Sequence, residues 1–110
     1  MANTFTRKLE QNVGATPTKI GSYTVASATS TVVIGLTITN TTGSAINANV
    51  YINNGVANTY VVANSPISSG ASLVIVGGDQ KIVLITGDSV YVQSSASSSI
   101  DAVMSIMEIT

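Results

Sequence analysis

The sequence contains no cysteine, no histidine and no tryptophan. The absence of cysteine excludes disulfide bonds and thiol chemistry. The absence of histidine removes the side chain that most often binds metals and that most often acts as a general base near neutral pH. An enzyme is therefore not expected, and no cofactor or metal is predicted.

Charged residues are also scarce. They make up 8% of the 110 residues, and none occurs from Ile20 to Gly78. The outward-facing positions of this run carry Ser, Thr and Asn, whereas a mixed charged surface is the usual protection against association. The net charge of −1 favours neither nucleic acid nor a membrane surface as a partner. The composition predicts a structural building block that packs against other proteins.

The few charges are unevenly placed along the chain. Residues 1–19 carry three basic residues and Glu10, a net charge of +2, whereas residues 20–110 carry one basic and four acidic residues, a net charge of −3. We interpret residues 1–19 as an extended arm that leaves a β domain formed by residues 20–110. A frayed terminus and a short helix over Phe5 to Asn12 are the alternatives. The residues of the arm predicted to bind a partner are Phe5, Arg7, Lys8 and Leu9.

Apolar residues alternate with polar ones over most of the chain, a pattern that predicts eight or nine short strands. The predicted strands are Ser22 to Ala26, Thr31 to Asn40, Ile46 to Asn53, Val56 to Ala63, Ser72 to Val76, Lys81 to Ile85, Ser89 to Ser94 and Ile100 to Ile109. Turn residues separate them, among them Asn64-Ser65-Pro66 and Gly77-Gly78-Asp79. The spacing of about ten residues indicates an all-β, antiparallel two-sheet β-sandwich with Ig-like or jelly-roll-like connections.

Two of these strands predict which residues face inward. In the strand from Thr31 to Asn40, one face is expected to carry Val32, Ile34, Leu36 and Ile38, and the other face Val33. The strand from Ile100 to Ile109 is apolar on both faces, although a strand of a sandwich has one inner face. Its second apolar face predicts an oligomer interface that packs against Val33 or Val83 of a neighbour. The alternative is that these are scattered apolar residues of an ordinary surface. The predicted interface residues are Val103, Met107 and Ile109.

Asparagine and tyrosine share the outer face of the strand from Ile46 to Asn53. Asn54-Gly55 follows directly and predicts a tight hairpin of type I′, which brings the next strand alongside. This face is a candidate glycan-binding surface, and the alternative is a polar sheet face with cross-strand aromatic contacts. The candidate glycan residues are Asn49, Tyr51, Asn58 and Tyr60.

The carboxylates offer little chemistry. Asp79 and Asp88 follow glycine in predicted turns, where Asp is favoured because it bonds to the local backbone. We interpret them as structural residues rather than as paired catalytic acids or calcium ligands.

Several strand-and-turn stretches resemble small accessory virion proteins of tailed bacteriophages, particularly those that infect cyanobacteria. The stretches that carry the resemblance are Ile20–Val25, Val33–Thr42, Val76–Val83, Gly87–Val90 and Met104–Thr110. The resemblance implies a β-sandwich present in many copies on the particle, as a capsid cement protein, often trimeric at threefold positions, or as a head–tail or tail accessory protein. It implies no catalytic residue.

These observations favour a capsid decoration (cement) protein that binds the assembled shell through its arm and through symmetric neighbours. The expected partners are the major capsid protein or another virion protein, together with further copies of the chain, a trimer being favoured. A neck or tail protein and a glycan-binding module are the alternatives. No apolar helix-length segment follows the first residues, so a secretory signal is not expected. We expect synthesis in the host cytoplasm and residence in the virion.

Overall fold

The fold of the chain is a sandwich of two antiparallel sheets, seen in a computed structural model that describes residues 2–77 and 79–110. The elements in chain order are β1 (Asn3–Val13), β2 (Thr18–Lys19), a 3₁₀ turn (Ile20–Ser22), β3 (Ser30–Asn40), β4 (Ile46–Asn53), β5 (Asn58–Ile67), β6 (Ser72–Val76), β7 (Ile82–Leu84), β8 (Ser89–Ser94) and β9 (Ile100–Ile109). The larger sheet has the order β1-β9-β3-β6, with β7 also on β3, and the smaller sheet has the order β2-β8-β4-β5. The predicted all-β sandwich is confirmed.

The pairing of the strands is nested, and this identifies the connections. First and last strands pair (β1 with β9), then β2 with β8, β3 with β6, and β4 with β5 in the middle. A hairpin of strands that is wrapped into two sheets in this way is a jelly roll, and β7 is a short addition to it. Of the two connection types predicted, the jelly roll is the one formed.

The core lies between the two sheets and is aliphatic. Side chains that are less than 2% exposed come from both layers, and burial of each contributes about 1.5–3 kcal/mol. The largest of them are Ile20, Leu36, Ile38, Leu84, Ile100, Met104 and Ile106.

The inward face of β3 differs from the prediction. The register of β3 on β9 shifts between Val33 and Gly35, so that a β-bulge interrupts the alternation. Thr31 and Val33 therefore face the core, at 0% and 1% exposure, and Val32 faces outward. A bulge inserts one residue and reverses the phase of every residue beyond it. The predicted contact of Val33 with a neighbouring subunit is wrong, because this side chain is buried within its own chain.

The segment predicted as a first strand, Ser22 to Ala26, is not a strand. Gly21 and Ser22 have positive φ values of 61° and 53°, and the chain turns there in a 3₁₀ turn. Tyr23 and Val25 are nevertheless buried, as the alternation had indicated. Backbone hydrogen bonds of Val25 with Gly87 and Asp88, in the turn before β8, hold this segment against the end of the smaller sheet.

The β4–β5 hairpin has a longer loop than predicted. Asn53 and Asn58 are opposite each other, so the loop has four residues, and β5 starts at Asn58 rather than Val56. The side-chain oxygens of Asn53 and Asn54 accept bonds from the backbone of the loop, and this local bonding opens the predicted two-residue turn. The strand then continues through Pro66 with two register shifts. Proline is tolerated because β5 is an edge strand.

The N-terminal segment is extended, as predicted, and is paired within its own chain. Residues from Asn3 to Glu10 lie opposite residues from Ile109 to Ala102, so β1 is an edge strand of the larger sheet. The division into residues 1–19 and 20–110 stays a prediction. The predicted turn at Gly77-Gly78-Asp79 includes Gly78, which lies outside the described residues.

Candidate functional site

The side of the larger sheet that faces away from the core carries a group of apolar side chains. Strand register places them in two rows that cross the sheet, because residues opposite each other in a ladder share a face. One row runs Phe5, Met107, Val32, Val83, and the other runs Leu9, Val103, Thr37, Val74. We call this surface the outer apolar face, formed by Phe5, Leu9, Val32, Val74, Val83, Val103 and Met107.

Most side chains of the outer apolar face are exposed, although they are apolar. Phe5 is 70% exposed, Val74 64% and Val83 63%, and Leu9 and Val103 are about half exposed. On the outward positions of the strands that form this face, only Arg7 and Asp101 are charged. Contiguous apolar patches of this kind on a single chain mark surfaces that bind another protein.

The two rows are separated by a strip without large apolar side chains. Arg7, Ser105 and Gly35 lie opposite one another between them. A Cβ atom at Gly35 would be in ordinary van der Waals contact with the Ser105 Cβ at 3.9 Å and with the Val76 carbonyl oxygen at 4.0 Å. The face therefore presents two apolar rows with Arg7, Ser105 and Gly35 between them.

The structure joins two surfaces that were predicted separately. Phe5, Arg7 and Leu9, assigned to a partner-binding arm, lie on the same face as the predicted interface on β9. Val103 is opposite Leu9, and Met107 is opposite Phe5. Ile109 shares this face at the end of β9, and Val83, named as its contact in a neighbour, lies on the same face of the same chain. The binding role of these residues stays a prediction.

Lys8 lies on the opposite side of β1 from the other arm residues. Its ammonium nitrogen lies 5.0 Å from the centre of the Tyr23 ring, and the neighbouring Glu10 carboxylate accepts the Gly21 N–H at 3.0 Å. These contacts hold β1 against the body of the chain. Lys8 is thus engaged within its own chain rather than directed at the outer apolar face.

Beneath Lys8, Tyr23 is the centre of a small polar network. Its hydroxyl lies 2.6 Å from the Thr31 hydroxyl and donates a bond of 2.8 Å to the Glu108 carboxylate. Burial raises the pKa of Tyr23, and the bond to Thr31 lowers it by less than burial raises it. Because Thr31 is on β3 and Glu108 is on β9, the network ties two inner strands of the larger sheet to the segment that precedes β3.

A row of tyrosines crosses the outer face of the smaller sheet. Tyr60, Tyr51 and Tyr91 are opposite one another on β5, β4 and β8, and Lys19 of β2 continues the row. The Tyr51 and Tyr91 rings are stacked with centres 5.3 Å apart, and those of Tyr51 and Tyr60 are 5.2 Å apart and tilted. Burial, followed by its two tyrosine neighbours, raises the pKa of Tyr51. We call these four residues the tyrosine row.

The tyrosine row contains only part of the predicted glycan face. Tyr51 is 6% exposed because its neighbours cover the ring, whereas Tyr60 is 52% exposed. Amides flank the row: Asn49 bonds to Gln93, and Asn53 bonds to Asn58. Tyr91 and Lys19 were not among the residues predicted for this face. Alternation along Ser89–Ser94 placed Tyr91 on one face, but only the pairing of β8 with β4 shows which face that is.

Four carboxylates, those of Glu10, Asp88, Asp101 and Glu108, accept hydrogen bonds from backbone or hydroxyl groups. Asp88 accepts the N–H of Ile85 within its turn, as predicted, and Asp101 accepts the N–H of Asn12. Within the part of the chain that the structure describes, no three acidic, His or Cys residues come together as metal ligands. Across residues 2–77 and 79–110, no helix has the length and apolar character needed to cross a membrane.

Comparison with known proteins identifies the fold but no family. No protein family matches the sequence, and no curated protein is significantly similar to it. Among solved structures, a protein of disulfide-linked Bacillus endospore appendages, described as pili, is 15% identical with a TM-score of 0.57, over 98% of this chain and 88% of that one. A pentameric capsid protein from metagenomic phage sequences is 17% identical with a TM-score of 0.43, over 91% of this chain and 59% of the other.

A third structure, that of infectious bursal disease virus strain Gx, is 14% identical with a TM-score of 0.45, over 96% of this chain and 29% of the other. At such identities the similarity is one of fold. The chain therefore has the β-sandwich fold found in the appendage protein, and the appendage comparison spans nearly the whole of both chains.

Proposed function

We propose that this chain is a non-enzymatic structural subunit that assembles with further copies of itself through the outer apolar face, and that the assembly is a decoration layer on a virion shell. The outer apolar face is the observation that carries this proposal, since half-exposed and largely exposed apolar side chains from five strands lie side by side on it. Covering them with a second copy removes apolar surface from water.

Two further observations support an assembling role. Jelly rolls are common in viral capsid domains, which agrees with the resemblance to accessory virion proteins, although a fold alone does not determine function. The appendage protein that shares the fold belongs to disulfide-linked pili. This chain has no cysteine, so a comparable assembly of it cannot use disulfide bonds.

Matched valine substitutions test the interface. Val83→Asp and Val103→Asp place a carboxylate on the outer apolar face, and Val56→Asp places one on the β4–β5 loop, where Val56 is 93% exposed. Losing a buried valine costs about 1.5–3 kcal/mol, so the first two changes are expected to raise the dissociation constant by about tenfold or more. Val56→Asp is expected to leave it unchanged.

Sedimentation velocity over a range of protein concentrations measures this effect. Association of the unchanged chain that is weakened by Val83→Asp and Val103→Asp, and retained by Val56→Asp, supports the interface. A single 11.2 kDa species at every concentration of the unchanged chain would contradict self-assembly. Equal loss of association in all three variants would show that added charge, rather than the outer apolar face, controls it.

The position on the particle is a finer part of the proposal. A decoration protein stabilises the assembled shell because it binds that state alone, and it is present in numbers comparable to the major shell protein. The threefold arrangement comes from the resemblance and stays a prediction. Quantitative mass spectrometry of purified particles separates the alternatives: a ratio near one per few shell subunits fits decoration, and a ratio below about one in fifty fits a neck or tail ring of closed symmetry.

The tyrosine row favours one second candidate function, the binding of neutral saccharides. Tyr60 offers an exposed ring at the edge of the smaller sheet, beside amide groups. Lys19 is the one charged residue of the tyrosine row. A screen against uncharged oligosaccharides, repeated with Tyr60→Ala, tests it. Binding that Tyr60→Ala removes would support this function, and the absence of binding by the unchanged chain would exclude it.

A further inference from the structure

The four edges of the two sheets differ in how well they are protected against pairing with another strand. Exposed edges are commonly blunted by shortness, proline, bulges or charge. In the smaller sheet, β2 has two residues and β5 contains Pro66 and two register shifts. In the larger sheet, β6 and β7 share one edge as two short pieces. On β1, by contrast, the residues from Asn3 to Glu10 follow one uninterrupted register.

The backbone of β1 points regularly spaced donors and acceptors at this open edge. Ala2 and Thr110 exchange both of their backbone hydrogen bonds, at 3.2 and 3.0 Å. In an antiparallel ladder such pairs alternate with pairs that do not bond. The even-numbered residues of β1 therefore bond to β9, and the N–H groups of Phe5, Arg7 and Leu9 point away from it. These groups are free to join a further strand.

Charged side chains do not protect this edge against pairing, although β1 contains Lys8. The ammonium of Lys8 lies over the ring of Tyr23 in the same chain, and Glu10 is bonded to Gly21. Arg7 is the one basic side chain of β1 directed to the outer face. An incoming strand therefore meets a single unengaged charge between Asn3 and Leu9.

We propose that the open edge of β1 binds β1 of a second copy, antiparallel and about a two-fold axis that passes beside Thr6. In such a pair, a residue that lies a given number of positions before the axis is opposite the residue of the second copy that lies the same number of positions after it. An axis at Arg7 or Lys8 would oppose like charges directly, which destabilises a ladder. An axis at Phe5 would leave Leu9 unpaired, whereas an axis at Thr6 uses every residue from Asn3 to Leu9.

The register at Thr6 also matches the side chains. Phe5 lies opposite Arg7 of the second copy, twice, and an arginine over a phenylalanine ring is attractive. Thr4 lies opposite Lys8 of the second copy. Because a two-fold axis perpendicular to the sheet keeps each face on its own side, the two outer apolar faces become one continuous surface across both copies.

The choice of a second copy as the partner of this edge rests on the proposed assembling function. The edge of β1 is nevertheless a different surface from the outer apolar face. The chain has no cysteine of its own, so introduced thiols test the pairing directly. In the proposed register Thr6 of each copy forms a non-bonded pair, with Cα atoms about 4.5 Å apart, within the range that a disulfide spans. Thr6→Cys is therefore expected to link two copies.

Thr4→Cys is the matched control. Thr4 is an exposed threonine on the same strand and the same face, but in the proposed register its counterpart is displaced by four residues, about 13 Å along the strand. In a glutathione redox buffer, Thr6→Cys should run on a non-reducing gel at twice 11.2 kDa, and Thr4→Cys at 11.2 kDa. Equal linking of both variants, or of neither, would overturn the inference.

A second pair of variants isolates the backbone. In the Thr6→Cys background, Arg7→Pro removes the N–H that points at the open edge without removing a bond to β9. Arg7→Ala removes the same side chain but keeps the N–H. Loss of the disulfide-linked product with Arg7→Pro and its retention with Arg7→Ala supports strand pairing, and retention with both contradicts it.

The outcomes separate this inference from the proposed function. If Val103→Asp abolishes association while Thr6→Cys fails to link copies, the outer apolar face stands and the edge pairing is wrong. If Thr6→Cys links copies while Val83→Asp and Val103→Asp change nothing, the edge pairing stands and the proposed face is wrong.

Discussion

Replacement of Asn40 by alanine is expected to destabilise the fold by about 4 kcal/mol. This side chain is fully buried at the end of β3. Its amide nitrogen donates to the carbonyls of Ser44 at 2.8 Å and of Ile67 at 3.0 Å. Its oxygen accepts bonds from the Thr42 N–H at 2.9 Å and the Thr42 hydroxyl at 2.7 Å. Because β3 is in one sheet and Ile67 ends a strand of the other, these bonds connect the two layers.

The magnitude follows from the number of bonds. The four contacts are each 3.0 Å or shorter, and an intramolecular hydrogen bond contributes about 1 kcal/mol net. The substitution also leaves the partly buried Thr42 N–H and the carbonyls of Ser44, Ile67 and Ser68 without this partner, and it adds no compensating contact. A loss of this size removes a large part of the roughly 5–15 kcal/mol by which a domain of this kind is stable.

Urea unfolding followed by circular dichroism measures the effect as a shift in midpoint at constant slope. Asn47→Ala, on an exposed outer position of β4, is the control and is expected to change the stability by less than about 0.5 kcal/mol. Asn40→Asp keeps the acceptor and replaces the donor, so it is expected to be no milder at neutral pH and to recover partly in acid. A loss below about 1 kcal/mol for Asn40→Ala would refute the reasoning.

Two further predictions concern the anchoring of β1 and the network below it. Gly21→Ala should destabilise more than Gly55→Ala: both glycines have positive φ, but an added Cβ at Gly21 would lie 2.6 Å from the Lys8 Cβ, whereas Gly55 faces open space. Equal losses in urea unfolding would argue against a tight contact between Gly21 and β1. Because burial raises the pKa of Tyr23, the stability it contributes is complete below about pH 10, the ordinary value, and is lost as the pH rises through the higher value of the folded state. Tyr23→Phe, which also loses the bond to Glu108, should therefore show a shallower decline of unfolding free energy in alkaline solution, and an unchanged decline would contradict the assignment.

Alternation predicted strands well where neighbouring chain segments impose no irregularity. The bounds of Ile46–Asn53, Ser72–Val76, Ser89–Ser94 and Ile100–Ile109 were predicted as they are observed. Three of these strands, all except Ser72–Val76, have apolar residues at a period of two, and a side-chain period of two is a local property of an extended backbone. Ser72–Val76 is a short apolar run between turn residues, which is also a local signal.

Bulges were not predictable, because they depend on the partner strand. The bulge between Val33 and Gly35 exchanges which valines face the core, and an uninterrupted run of β-branched residues gives no sign of it. Likewise, Pro66 was expected to end a strand, since a proline cannot donate to a ladder. It lies within β5 because that strand is at an edge, which is a property of the sheet order.

The candidate surfaces show the same division. The sequence suggested apolar binding residues on the N-terminal segment and on the last strand, and it suggested aromatic residues around the Asn-Gly loop. It did not show that Phe5 and Met107 would be opposite each other, or that Tyr91 would stack on Tyr51. Which surface each residue belongs to was decided by strands that are distant in the sequence.

The sequence by itself determined the class of the fold, because a side-chain period of two is a local property of the chain. Only the tertiary structure decided the nested jelly-roll pairing, the burial of Asn40 between the layers and the assembly of one outer apolar face from five strands. The physical reason is that ladder register is set by backbone bonds between segments up to about a hundred residues apart, as between Asn3 and Ile109, and no local pattern records which segments meet.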